Sequence, residues 1–330
     1  MKAREVVLAR RPPGRPDASC FDITNRAVPD LPAGSLLMRS AAISVDPSMI
    51  PRLQVATYAP AFPLGAAIEA RAVGQVARSA DDAWAEGDWA VYWGGWRDLA
   101  VVPAGSALRI YPTDAVPPHM WLHVLGVPGL TAYIGLTQVA RVQPGETVWV
   151  SAATGAVGSV AAQLAKARGA ELVIGSTGGP AKARYLTQTL GLDAAVDYRA
   201  GDLRSQLRQA APDGIHVYFD NVGGDHLEAA LDVMQTGGRI AVCGMISGYG
   251  VRQAGPPNIA EIIIKRLRVE GFLVLDHLDR RAEFEAEVVP LLEEGTLHTD
   301  VTFFEGIDSA PAALLSLLDG TKLGKALIQP

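Results

Sequence analysis

The sequence predicts an α/β chain, with a doubly wound parallel sheet joined to a separate β-rich lobe. Three observations predict it. Beyond Gly145, six short apolar runs alternate with helix-period runs, which is the pattern of a parallel sheet covered by helices on both faces. Before about residue 120, short β-runs are broken by Pro, Gly and Asp, as in a partly open barrel of short strands. The chain has 330 residues, more than one compact core usually holds.

In the first lobe, strands are expected at residues 5–8, 35–40, 74–77, 89–93 and 99–102. Residues 10–16, RRPPGRP, form a loop, and the proline-flanked run 60–64 cannot sit inside a central strand. Residues 119–135 read as helix, break, helix, with Pro128 at the break and Gly129 in the turn. The parallel strands are expected at 147–151, 171–175, 194–196, 216–219, 239–243 and 268–274. The helices between them are expected at 159–168, 181–190, 203–210, 226–234 and 258–265. An amphipathic helix at 280–294, a strand at 301–305, a helix at 310–318 and a strand at 325–328 follow and return to the first lobe. The domain reading is 1–120 with 300–330 for the β-rich lobe, and 121–299 for the parallel-sheet lobe.

Composition excludes several classes. The chain is 49% hydrophobic, yet no apolar run approaches the roughly 18 residues of a membrane span. The first residues, MKAREVVLARRPPGRP, lack the apolar core of a secretory signal. Two cysteines far apart, Cys20 and Cys243, argue against a disulfide framework and fit a reduced, cytoplasmic setting. A net charge of −6 with dispersed basic residues argues against a nucleic-acid surface.

Residues 148–169, VWVSAATGAVGSVAAQLAKARG, organise the second lobe. The apolar run Val148, Trp149 and Val150 leads through small residues into a helix-period run with Val160, Leu164 and Ala165 apolar. Strand, glycine turn and helix in that order gather unpaired N–H groups and the positive helix end at one point, which suits a pyrophosphate. Gly155 permits close backbone approach, and Gly158 lets the helix pack on the strand. The remaining glycine of a full dinucleotide fingerprint is replaced by Ala153, so the local match is partial.

An NAD site usually carries Asp or Glu at the end of the second strand, for the ribose 2′-OH. Here that region reads Gly175, Ser176, Thr177, Gly178, Gly179, without a carboxylate. Small donors at Ser176 and Thr177 and a cation at Lys182 suit a 2′-phosphate, so NADP(H) is expected over NAD(H). The competing reading of Lys182 is a solvated helix residue. Two further turns, Asp220 to Gly224 after the fourth strand and Cys243 to Ser247 after the fifth, fall where open α/β sheets bind ligands.

The runs VPGLTAYIGL (127–136), SAATGAVGSVAAQLAK (151–166), DNVGG (220–224), CGMISGY (243–249) and LGKALI (323–328) resemble the medium-chain dehydrogenase/reductase superfamily. Within it they most resemble the zinc-free branch of prostaglandin reductase, leukotriene 12-hydroxydehydrogenase and curcumin reductase. VDPSM (45–49) resembles that branch's VDPYM. The resemblance implies a GroES-like β-barrel lobe, a Rossmann lobe and a cleft between them, a homodimer through the sixth strand, and NADPH-dependent reduction of a carbon–carbon double bond conjugated to a carbonyl. It implies that Gly155, Ala156, Val157 and Gly158 hold the pyrophosphate and that Lys182 and Tyr198 meet the 2′-phosphate. Further coenzyme contacts fall on Asn221, Cys243, Gly244, Ile246, Ser247, Tyr249, Phe272, Leu273 and Val274. The substrate side falls on Asp46, Ser48, Met49, Tyr58, Trp93 and Leu275. Ser48 and Leu275 stand where the family has tyrosines, and Lys322 where it has asparagine.

Two isolated cysteines cannot build a structural zinc site, and LGAAIE (64–69) has no His beside its Glu, so metal-free hydride transfer is expected. Negative charge then develops on the carbonyl oxygen and needs a donor. Tyr249 is the candidate acid, against a competing role as a lid on the coenzyme. The ribose 2′-OH of the coenzyme, Tyr58, Tyr92 and His277 are the other candidates. Trp93, Trp96, Met49, Ile50 and Phe62 read either as pocket wall or as packing. The rival functions are a quinone reductase on the same fold and a non-enzymatic NADPH-binding module.

Overall fold

The structure, a computed structural model, describes residues 1–249 and 254–330. The chain divides into two compact units: Met1–His123 with Val301–Pro330, and Val124–Asp300.

The first unit is β-rich. Lys2–Leu8 pairs antiparallel with Phe21–Ala27 as a ribbon. A seven-stranded sheet runs in the order Val301–Glu305, Lys325–Gln329, Ser35–Ser44, Arg71–Ser79, Trp89–Trp93, Leu108–Ile110, with Leu99–Pro103 on the other side of Ser35–Ser44. The last two strands of the chain therefore do return to this unit, and they pair parallel with each other. Phe21–Ala27 carried no signal in the sequence because its burial does not alternate. Only Phe21 is buried, and the ribbon pairing alone makes it a strand.

In the second unit six strands are all parallel, in the order Ala194–Asp197, Leu172–Thr177, Thr147–Val150, Ile215–Asp220, Met234–Val242, Arg268–Gly271. Numbered along the chain the order is third, second, first, fourth, fifth, sixth, which is the dinucleotide-binding order. It reverses between the first and fourth strands, and ligands bind outside the strand ends at such a reversal. Trp149 and Tyr218 are register partners on those two strands. Their rings stack at 4.2 Å, and His226 lies on the indole at 5.8 Å. Each such aromatic pair adds about 0.5–1.5 kcal/mol beyond its area.

Three local expectations are corrected. Pro128 and Gly129 lie inside the helix Val127–Ile134. Proline is tolerated in a first turn, where its missing N–H has no partner to lose. Gly129 is there because a Cβ would lie 1.8 Å from the Val124 carbonyl oxygen. The sixth strand ends at Gly271, short of the expected 274, because Phe272 turns to pack edge-on against Phe219 at 6.4 Å. The helix expected over 258–265 is the single turn Glu261–Ile264. Among the described residues, no helix is long and apolar enough to cross a membrane.

Candidate functional site

The first strand ends in a tight turn at the reversal point. Ala152 adopts φ +48°, the Ala153 amide donates to the Ser176 carbonyl at 2.9 Å, and the Gly155 amide returns to the Ala152 carbonyl at 2.9 Å. The helix Ala156–Ala167 starts on Gly155, which has no side chain to fill the helix end. A Cβ on Gly158 would lie 2.3 Å from the Ala152 oxygen, so only glycine lets this helix sit so close to the turn. Gly155, Ala156, Val157 and Gly158 thus form one cradle.

The turn after the first strand meets the end of the second, where Thr154 and Thr177 share a hydrogen bond at 3.0 Å. Ser176 is fully buried, with its hydroxyl unpartnered among the described residues. It faces inward rather than toward the open strand end, where the sequence places a donor. The open end is formed by other groups. Lys182 lies in the first turn of Pro180–Gln188. Tyr198 and Arg199 lean over the glycine turn, so that a Cβ on Gly178 would lie 2.7 Å from the tyrosine hydroxyl and 2.8 Å from the guanidinium Nε. The nearby Asp197 carboxylate is turned onto backbone, accepting from the Gly179 amide at 2.8 Å and the Arg199 amide at 3.0 Å. Arg199 was missed from sequence. Its signal was a cation next to Tyr198, two residues past the third strand.

The fourth-strand turn and the fifth-strand turn are laced together. Cys243 and Gly244 amides donate to the Asp220 carbonyl at 2.8 and 3.0 Å, and the Ser247 amide and hydroxyl donate to the Val222 carbonyl at 3.1 and 2.5 Å. Asn221 donates its amide N–H to Ser151 Oγ at 2.9 Å and its side-chain Nδ2 to the Ser151 carbonyl at 2.8 Å. Burial pushes the Cys243 thiol up to about 12, with the Asp220 charge adding to the shift. It is therefore a thiol at neutral pH and not a nucleophile.

These features fit an NADP(H) molecule. They comprise a cradle that a Cβ would fill at Gly158, a cationic strand end free of an open carboxylate, and two pinned turns at the switch point. Among the described residues, no group of three or more His, Cys, Asp or Glu is placed to hold a metal ion.

Of the acid candidates, Tyr249 lies at the fifth-strand turn. Its amide donates to the Ile246 carbonyl at 3.2 Å, and its hydroxyl lies 3.8 Å from where a Cβ on Gly244 would stand. Tyr92 is buried against Ser40 Oγ at 2.9 Å, and burial raises its hydroxyl far above the usual range. It is a core residue and not an acid. His277 stands at a kink in Val274–Arg280. Leu273 and Leu275 are exposed, and Phe272 and Val274 are partly buried.

In the first unit, Trp96, Phe62, Met49 and Ile50 are buried. Trp96 donates to the Ser44 carbonyl at 3.2 Å, and Phe62 carries the Arg52 guanidinium at 4.2 Å. Trp93 and Tyr58 are exposed, with the Arg71 guanidinium 4.8 Å from the Trp93 ring centroid. The segment Asp46 to Ser48 is pinned by Lys325, which is 1% exposed and donates to the Val45 carbonyl at 2.6 Å and Asp46 Oδ1 at 2.8 Å.

A family model described as zinc-binding dehydrogenase matches residues 156–294, and one described as N-terminal domain of oxidoreductase matches residues 4–110. The chain is 34% identical over 336 residues to the NADPH-dependent curcumin reductase of Escherichia coli, covering 99% of this chain and 96% of that one. It is 37% identical over 335 residues to the NADP(+)-dependent 2-alkenal reductase of Nicotiana tabacum, covering 98% and 96%. It superposes on the crystal structure of CurA in complex with NADPH from Vibrio vulnificus with a TM-score of 0.93, at 36% identity, covering 99% and 98%.

Proposed function

The chain belongs to the medium-chain dehydrogenase/reductase family, in the branch of the curcumin, 2-alkenal and prostaglandin reductases, and on that premise we propose that it is an NADPH-dependent reductase of carbon–carbon double bonds conjugated to a carbonyl. The observation that carries the reading is the cationic second-strand end, where the Asp197 carboxylate is turned onto backbone, beside a Gly158 cradle, in a chain 37% identical to a 2-alkenal reductase over nearly its whole length. NADPH, when bound, supplies hydride to the β-carbon.

The residues of this chain bind and orient. The Gly155–Gly158 amides meet the pyrophosphate, with the helix dipole behind them. Lys182, Tyr198 and Arg199 select the 2′-phosphate by charge-assisted hydrogen bonds. Asn221 and Ser247 fix the turns of the reversal point. Tyr249 donates to the carbonyl oxygen as negative charge develops there. Exposed Trp93 and Tyr58 suit an apolar or aromatic substrate. Both cysteines are free, in keeping with a reduced, cytoplasmic setting.

Purified protein with NADPH and a panel of enones and quinones tests the reading. Saturation of an enone supports it. Turnover of quinones alone would replace it with a quinone reductase, and coenzyme binding with no turnover would replace it with a binding module. Lys182→Ala is expected to weaken NADPH by about 1–2 kcal/mol, the scale of hydrogen bonds to charged groups, and to leave NADH almost untouched; equal losses for both would remove the 2′-phosphate role. Tyr249→Phe is expected to lower kcat by about 10²-fold, as loss of one such donor does, at unchanged NADPH affinity. An unchanged kcat would pass the role to the ribose hydroxyl, Tyr58 or His277.

We also propose a homodimer through the sixth strand. Arg268–Gly271 is an edge with one unpaired side, and Ile263, Ile264, Val269, Leu273, Leu275 and Leu278 are exposed around it. Open apolar edges invite a second copy. Light scattering at micromolar protein should give twice the chain mass, and a monomer would end the proposal.

A further inference from the structure

At the reversal of the sheet, the segments 147–158, 217–224 and 240–249 contain one Asp, Glu, Lys or Arg between them, Asp220. It is fully buried. Three donors converge on its Oδ1, the Tyr218 hydroxyl at 2.7 Å, the Gly223 amide at 2.8 Å and the Val222 amide at 2.9 Å, and the Ser151 hydroxyl at 3.4 Å shares its one proton with the Phe219 carbonyl at 3.3 Å. Oδ2 has no hydrogen-bond partner among the described residues. The donors at Oδ1 favour the anion, while burial of the unpartnered Oδ2 disfavours it. Burial is the largest influence and holds the carboxyl above its ordinary value, and the Gly223 amide and Tyr218 hydroxyl offset part of that. The donors thus gather on one oxygen of this side chain, and the turn that carries it holds up the fourth and fifth strand ends. With the adenosine phosphate on the second- and third-strand side, a dinucleotide crossing the reversal lays its nicotinamide half over the fourth and fifth.

NADP+ carries a positive charge on that ring, and NADPH does not. We infer that Asp220 is the fixed negative charge that favours oxidised over reduced coenzyme, and so draws hydride toward the substrate. The inference rests on the coenzyme reading given above. It needs no contact with the ring, because a Coulomb interaction in a dry site falls off only with the first power of distance. Tuning of coenzyme electronics by a nearby charge is a general lever.

The test reads binding, not turnover. Dissociation constants for NADP+ and NADPH are measured by calorimetry on wild type, Asp220→Asn and Tyr218→Phe. Asp220→Asn is expected to weaken NADP+ about tenfold more than NADPH, the scale of one charge acting at about 10 Å through a partly screened interior. Tyr218→Phe removes a neutral donor and keeps the charge, so both constants should move together and their ratio should hold within about twofold. If Asp220→Asn does not fold, Asp220→Ser leaves room for a water under the turn and is read the same way. A ratio unchanged by loss of the carboxylate, with wild type still binding both coenzymes, overturns the inference alone. Wild type binding neither coenzyme overturns the coenzyme reading beneath it.

Discussion

Gly158→Ala is expected to lower NADPH affinity by more than about 100-fold and to lower the melting temperature by several degrees. The added Cβ would meet three backbone atoms at once: the Ala152 oxygen at 2.3 Å, the Ala152 carbonyl carbon at 2.8 Å and the Ala153 Cα at 3.0 Å. None of these is the end of a flexible side chain. Either the helix lifts off the turn or the turn moves, and overpacking of this kind costs about 1–3 kcal/mol or more. Ala152 already sits at positive φ, so the turn has little freedom left to absorb the shift. The amides that move are those aimed at the pyrophosphate, so binding suffers more than stability. Gly155→Ala is the internal control. Its Cβ would meet only the Ala152 oxygen, at 3.2 Å, and its φ is −89°, an angle any residue adopts. That variant should lose less than about tenfold in affinity, since its neighbour must yield by only a few tenths of an ångström. Similar, small losses in both variants, read by coenzyme titration and thermal melts, would refute the close-approach argument.

The parallel sheet was legible in the sequence because each strand is a short apolar run bounded by Gly or a polar turn, and each helix is long enough to show its period. Its edge was legible too. What escaped was set by contacts remote in sequence. Phe21–Ala27 is a strand only because Lys2–Leu8 lies beside it. The third-strand end gives Arg199 its place over Gly178, which no local pattern announces. Ser176 reads as a donor in a line of sequence, yet its strand is buried on both faces and encloses the hydroxyl. Trp96 and Trp93 are three residues apart and differ completely in exposure, because Gly95 at φ +70° redirects the chain between them. Gly135 carries no sequence signal, but a Cβ there would strike the Phe219 ring at 2.3 Å and the Phe272 ring at 2.9 Å. That glycine opens the space into which the chain turns after the sixth strand.

Acid should destabilise the protein through His226. The imidazole is buried between the Trp149 ring at 5.8 Å and the Tyr198 ring at 5.3 Å, and its Nε2 has no partner among the described residues. Burial drives it down to about 4, and the Asp225 carboxylate recovers only part of that. A base depressed in the folded state costs nothing above its unfolded value of about 6.5. As pH falls below that, the unfolded chain binds the proton first, so stability declines until about pH 4, where the folded imidazole also protonates and the loss is complete. At 1.36 kcal/mol per unit, a gap of roughly 2.5 units amounts to about 3 kcal/mol, a large share of the 5–15 kcal/mol typical of folded domains. Asp220, raised by burial, works in the opposite sense and moderates the slope. His226→Phe keeps a ring against Trp149 and removes the ionisable nitrogen, so its stability should fall less steeply between pH 6.5 and 4 than that of wild type. Denaturant titrations at intervals across that window measure both slopes. Parallel curves for the two proteins would mean that His226 is not held neutral, and that the aromatic stack under the coenzyme site tolerates a charge.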